Sequence, residues 1–145
     1  MIIKVEWDMS EVNALMEKVK AAGQSGTQAL VHGGTVVEAH AKMNAEGHGL
    51  HKSGDLVGSI RVYDKAAWSV MVGSRGVVYA AIHEFGGTIY PKRAKALSWI
   101  GEDGKRIFAK SVRIPTRAYL RPAFDENKGE IIDAIGREVA KQLGG

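Results

Sequence analysis

The chain has 145 residues, 45% hydrophobic and 25% charged, with no cysteine and a net charge of +4 at pH 7. That balance is globular rather than disordered, and the missing cysteine excludes disulfide frameworks, thiolate nucleophiles and cysteine-ligated zinc or iron–sulfur sites. No apolar run approaches the ~20 residues that span a bilayer, and the charge-dotted start Met1-Ile2-Ile3-Lys4-Val5-Glu6-Trp7-Asp8 is not a signal peptide. The expectation is a soluble, cytoplasmic protein with a single domain over 1–145.

Residues 2–6 alternate weakly and predict a short first strand. Asp8 offers an N-cap oxygen with Glu11 three residues on, a capping box. Val12, Leu15, Met16 and Val19 then recur at helical spacing. Gly23 and Gly26 loosen or end this helix, since each glycine costs a helix ~1 kcal/mol relative to alanine. A second helix is predicted over 27–45, with Leu30, Val31, Val37, Ala41 and Met43 buried. Gly33-Gly34 in its middle conflicts with propensity and suits close approach of another backbone. Residues 47–54 read as a loop. Ser59-Ile60-Arg61-Val62-Tyr63 and Trp68-Ser69-Val70-Met71-Val72 read as an antiparallel hairpin turning at Asp64-Lys65-Ala66-Ala67.

Residues 77–85 are too rich in alanine for a strand and predict a short helix ended by Gly86-Gly87. Residues 96–100 and 106–109 flank Gly101-Glu102-Asp103-Gly104, whose Asp-Gly pair is a strong turn signal. Together they make 88–115 a β-arm. From Pro122 a last helix is predicted, with Asp125 and Glu126 near its positive end and Phe124, Ile131, Ile132, Ile135 and Val139 on its buried stripe. The layout is α+β: an antiparallel sheet with a long β-hairpin arm, and two N-terminal helices and a C-terminal helix packed on one face.

The positive charge is local. Residues 86–122 hold nine basic side chains (Lys92, Arg93, Lys95, Lys105, Arg106, Lys110, Arg113, Arg117 and Arg121) against Glu102 and Asp103, a net +7, whereas the rest of the chain sums to −3. A stretch this polarised suits a negative partner surface, protein or nucleic acid; basic residues also keep the edges of a projecting β-arm from pairing. Tyr90, Trp99, Phe108 and Tyr119 lie near these cations and could stack on bases, but their strand-period spacing assigns at least half of them to the core. No helix-turn-helix, zinc finger or RNA-recognition motif is present.

Little else in the sequence carries chemistry. Gly47-His48-Gly49-Leu50-His51-Lys52-Ser53 ends in Lys-Ser, but a phosphate-cradling loop needs glycine before the lysine and a strand before the loop. His48 and His51, with His40 and Glu46, could be drawn as metal ligands, yet no second ligand pair accompanies them and solvated loop histidines explain them better. His83-Glu84 lacks the second histidine of a zinc-hydrolase helix, and no Gly-x-Ser-x-Gly elbow occurs. The expectation is no enzyme, no metal and no cofactor.

Three segments occur in a telling order: Lys52-Ser53-Gly54-Asp55-Leu56-Val57-Gly58-Ser59-Ile60, then Tyr79-Ala80-Ala81-Ile82-His83-Glu84-Phe85-Gly86-Gly87, then Ile114-Pro115-Thr116-Arg117-Ala118-Tyr119-Leu120-Arg121-Pro122-Ala123. With the insert Pro91-Lys92-Arg93-Ala94-Lys95-Ala96-Leu97, the chain resembles the tail-completion and head–tail joining proteins of tailed bacteriophages, a phage virion morphogenesis family. Ser53 stands for the usual threonine, Val57 for arginine and Ala118-Tyr119 for Pro-Phe. The resemblance implies a structural, homo-oligomeric ring, hexameric in that family, at the tail or neck of the virion and in the host cytoplasm during assembly. Its partners would be tail-tube and neck or connector proteins, with nucleic acid secondary and no membrane. A ring makes heterologous contacts, so each subunit shows two different patches. The arm is expected to be one of them, through Lys92, Arg93, Lys95, Trp99, Lys105, Arg106, Phe108 and Lys110. The alternative is a DNA-binding module using the basic segment 86–122.

Beside the resemblance, Gly54 and Gly86 suit positive φ or close approach, and Leu56 and Ile60 suit the start of a buried face. Glu84, at the end of an apolar helix, would be costly to bury alone. It should therefore bind backbone N–H groups or pair with Arg117 or Arg121, as a local lock between its helix and the loop before the last helix.

Overall fold

The structure, a computed structural model, describes residues 9–50, 54–77 and 79–144. The predicted strand over 2–6, the Asp8 cap, and His51, Lys52 and Ser53 lie outside the described residues. In chain order the elements are α1 (Ser10–Ala21), α2 (Thr27–Gly47), α3 (Asp55–Ser59), β1 (Ile60–Tyr63), β2 (Met71–Ser74), α4 (Ala80–Phe85), β3 (Gly87–Ile89), β4 (Leu97–Ile100), β5 (Arg106–Ala109), β6 (Val112–Ile114), α5 (Leu120–Asp125) and α6 (Lys128–Gln142). The mixture is α+β, as expected, but among the described residues the strands form three separate two-stranded antiparallel ladders, β1–β2, β3–β6 and β4–β5, rather than one sheet.

The core is organised by a row of small residues on α2. Ala29, Gly33, Val37, Ala41 and Ala45 follow at intervals of four, and all are buried. Such an i±4 row is a shallow ridge against which other helices can approach closely; α5 and α6 pack on α2, and α1 lies against α6. The two glycines explain themselves there. A Cβ on Gly33 would stand 2.7 Å from Ile135 Cδ1, and one on Gly34 would stand 3.0 Å from Val62 Cγ2. Leu30 and Val31 are half-buried rather than buried, and Met43 is exposed, because it sits two residues, about 200° of turn, from the row. On the opposing helices Phe124, Ile131, Ile135 and Val139 are buried as expected. Each such side chain contributes about 1.5–3 kcal/mol relative to exposure. Ile132 instead is half-buried, at the border between α6 and α1.

Other boundaries moved for identifiable reasons. The helix expected from Pro122 is two helices. Pro122 is the third residue of α5, where its missing N–H leaves no bond unmade, and Asn127 turns the chain into α6, with its Nδ2 donating to the Ala123 carbonyl at 3.0 Å. Ser59, expected in a strand, closes the single-turn α3. The hairpin pairs Ile60 with Ser74 and Tyr63 with Met71, so its second strand begins three residues later than expected. Residues 64–70 leave the ladder and dock on the α1–α2 corner, where the Gly26 N–H donates to the Ala67 carbonyl at 3.0 Å and Thr27 Oγ1 donates to the Ala66 carbonyl at 2.8 Å. Trp68 therefore packs beneath the Lys20 ammonium, 5.6 Å from its ring centre, instead of pairing.

Candidate assembly interface

Two neighbouring regions differ sharply in how they satisfy their groups. The first is a clamp around α4. Gly86 ends that helix at φ 71°, and a Cβ there would meet Thr116 Oγ1 at 2.7 Å, so both conformation and space require glycine. The tight stop brings the segment before α5 alongside: the Arg117 N–H donates to the His83 carbonyl at 2.8 Å, and Thr116 Oγ1 donates to the Phe85 carbonyl at 3.1 Å. Glu84, 3% exposed, then faces the start of α5. Its Oε2 accepts from the N–H groups of Tyr119 (2.8 Å) and Leu120 (2.9 Å), and its Oε1 from that of Arg121 (2.8 Å). These donors at a helix start have no intrahelical partner. Of the two arrangements open to Glu84, the structure has the backbone one. Arg117 and Arg121 take part through their main-chain N–H groups, not through guanidinium pairing.

Tyr119 completes the clamp. Fully buried, it donates its phenol to the Ala80 carbonyl at 3.2 Å, while its own carbonyl accepts from Asn44 Nδ2 at 3.0 Å. Burial, and after it the Glu84 carboxylate, raises the Tyr119 phenol above its ordinary pKa. His83 is shifted down, by burial first and by the Arg117 charge second.

The second region is the arm. Its root, β3–β6, pairs Gly87 with Ile114 and Ile89 with Val112. Its tip, β4–β5, pairs Leu97 with Ala109, Ser98 with Phe108, Trp99 with Ile107 and Ile100 with Arg106. The Asp-Gly turn closes the tip, with Gly104 at φ 79° and the Lys105 N–H donating to Asp103 Oδ1 at 3.0 Å. Root and tip are joined unevenly, by residues 90–96 on one side and only Lys110-Ser111 on the other. The tip packs substantially on no other helix or strand.

Because directly paired residues share a face, one face of the tip is wholly apolar: Leu97, Trp99, Ile107 and Ala109. The other mixes Ile100 and Phe108 with Ser98 and Arg106, whose Nη1 donates to Ser98 Oγ at 3.1 Å. Trp99 and Ile107, shielding each other, are 39% and 40% exposed; Ile100 and Phe108 reach 57% and 67%. Of the four aromatics near the cations only Tyr119 is core, and Tyr90, Trp99 and Phe108 are all exposed. Strand periodicity says which residues share a face but not whether anything covers it. For the same reason the sequence leaves Ile100 and Ile107 out of the expected contact residues, although both lie exposed on this ribbon.

The expected cations are also here. Lys92, Arg93 and Lys95 lie in the bends between root and tip, Lys105 and Arg106 at the turn, and Lys110 at the second junction. All six are exposed, as is Arg113, and among the described residues none has a carboxylate partner. The structure thus brings Trp99, Phe108 and the cations together on one projecting ribbon, away from Glu84.

The histidines considered as ligands are engaged elsewhere: His40 Nε2 lies 2.8 Å from Glu130 Oε2, and His48 Nε2 lies 3.1 Å from the Ala118 carbonyl. Among the described residues no group of three or more His, Asp or Glu is placed to hold a metal ion, and no helix is long and apolar enough to cross a membrane.

No curated protein and no solved structure matches the chain. The model of the phage virion morphogenesis family matches residues 13–140, which spans the helical core, the clamp and the arm, and the chain belongs to that family.

Proposed function

We propose that the protein completes the tail or joins head to tail as a ring-forming adaptor, with the arm as one of its two contact patches. The observation that carries this reading is the tip: an apolar face and exposed cations without carboxylate partners among the described residues, on a ribbon that packs substantially on no other helix or strand of a family member's core. A two-stranded hairpin in water is marginal by itself, and exposed apolar surface rimmed by polar groups marks interaction sites. Such a protein works by presenting complementary surfaces, without turnover. The test is complementation of the encoding phage or prophage. Loss of the chain should leave unjoined heads and tails, and a variant lacking residues 97–109 should fold yet fail to join them. A folded variant that still joins them would overturn the arm's role.

A second reading, contact with DNA, is favoured by the seven exposed arm cations without carboxylate partners. Phosphate contacts would make its affinity fall steeply with salt, so gel-shift titrations at two salt concentrations separate the readings.

A further inference from the structure

A groove between two helices offers a complement to the arm. α1 and α6 border a shallow groove of about 630 Å³ whose floor includes Ala14, Leu15, Ile132, Gly136 and Ala140. Glu11 and Asp133 border it, together with Lys18 and Arg137. From Asp133 back along α6 to its junction with α5, the carboxylates accumulate: Asp125, Glu126, Glu130 and Asp133, all exposed, stand against the single cation Lys128. Among the described residues only Glu130 of these four has a basic side chain within reach, the imidazole of His40. The acidic stretch thus belongs to α5 and α6, and the basic stretch to the arm.

Gly136 lies on the floor of this groove. Glycine inside a helix costs roughly 1 kcal/mol relative to alanine, and Gly33 repays that by admitting Ile135. Among the described residues Gly136, like Gly129 earlier in α6, is not crowded in this way: a Cβ there would meet Leu15 Cδ1 at an ordinary contact distance of 3.9 Å. Its missing side chain leaves the groove floor open.

We propose that the apolar face of the arm tip, with Trp99 and Ile107 foremost, seats in the α1–α6 groove of a second copy of this chain. In that arrangement Lys105 and Lys110, at the ends of β5, meet the carboxylates around Asp133 and Glu126. The occupant is a second copy because the chain carries both halves: an uncovered apolar ribbon with net positive charge, and an apolar groove leading into a net negative helix start. Opposite potentials of this kind fix register as well as speed association. The contact is heterologous, so repetition generates a ring or an open chain; the inference rests on the ring reading and adds the receptor surface to it.

The absence of cysteine makes the test clean. The full-length double variant Ile107→Cys/Ala140→Cys, oxidised mildly at high concentration and in purified phage particles, should give a ladder of covalent multimers, with neither single variant doing so. Glu126→Lys/Asp133→Lys should weaken self-association about tenfold or more, and adding Lys105→Glu/Lys110→Glu should restore it. Restoration also shows that the variants fold. Covalent dimers from Ile107→Cys alone, meaning arm against arm, would overturn the inference. So would loss on charge reversal without recovery, or no ladder from the double variant in either setting. If light scattering or multiple copies per particle still report an oligomer, the ring reading survives that failure; a single copy per particle removes both.

Discussion

The clamp around Glu84 and the arm tip lie close together in sequence and solve the same problem in opposite ways. Both contain groups that water or a partner must satisfy. In the clamp, the polar groups that join α4 to α5 find their partners within the chain: three backbone N–H groups on one carboxylate, a phenol on a carbonyl, a glycine under a threonine; His83 Nδ1 is the exception, buried without a partner among the described residues. In the tip the apolar side chains stay largely exposed, and among the described residues the cations have no carboxylate partner. The first arrangement makes a shape that resists change, and the second leaves surface free to be covered by something else. Stability and contact are thus assigned to different residues, and substitutions should separate them.

The sharpest separation is Glu84→Ala. It strands the buried N–H groups of Tyr119 and Leu120 and the half-buried one of Arg121, and should cost about 3–5 kcal/mol in a urea or thermal melt. Glu84→Gln, keeping one acceptor oxygen, should fall between. Next is Gly33→Ala, whose new methyl overlaps Ile135 and should cost about 1–3 kcal/mol by the same melts. Gly136→Ala should do the reverse, stabilising the isolated chain by about 0.5–1 kcal/mol while impairing multimer formation; no stabilisation would mean that the notch serves the fold after all.

On the arm, Trp99→Ser/Phe108→Ser should change the isolated chain's stability by less than about 0.5 kcal/mol, as surface substitutions usually do, and yet abolish joining in the complementation assay. A large loss of stability would place the tip in the core's cooperative unit and erase the contrast. The smallest effect concerns His83. Because its folded-state pKa lies below the ordinary 6.5, the unfolded chain binds that proton more readily. Its contribution to stability is then full above pH 6.5 and is lost as the pH falls toward the folded value. Its ring protons should titrate in NMR with a midpoint below 6.5.

What could be read from residues alone follows the range of the interactions involved. α1, α2 and α6 have enough turns for periodicity to show, the Asp-Gly turn is local chemistry, and the need for N–H donors or a cation at Glu84 follows from burial on an apolar helix. Which partner Glu84 chose did not follow, since that depends on how Gly86 swings residues 116–121 alongside. α3 and α5 are too short to show a period. Met43 was misplaced because large apolar side chains suggested the buried stripe, whereas the small ones, Ala29 to Ala45 in steps of four, form it. The exposure of Trp99, Ile107 and Phe108 was illegible for a deeper reason: an apolar strand face looks the same whether its cover comes from its own chain or another.

The unequal joint between root and tip has a mechanical consequence. Seven residues join root and tip on one side and two on the other, so the ribbon is held by one long span and one short strap at Lys110-Ser111. In the ring proposed above, tilting about that strap would let each copy reach its seat without passing a misfit into its own core.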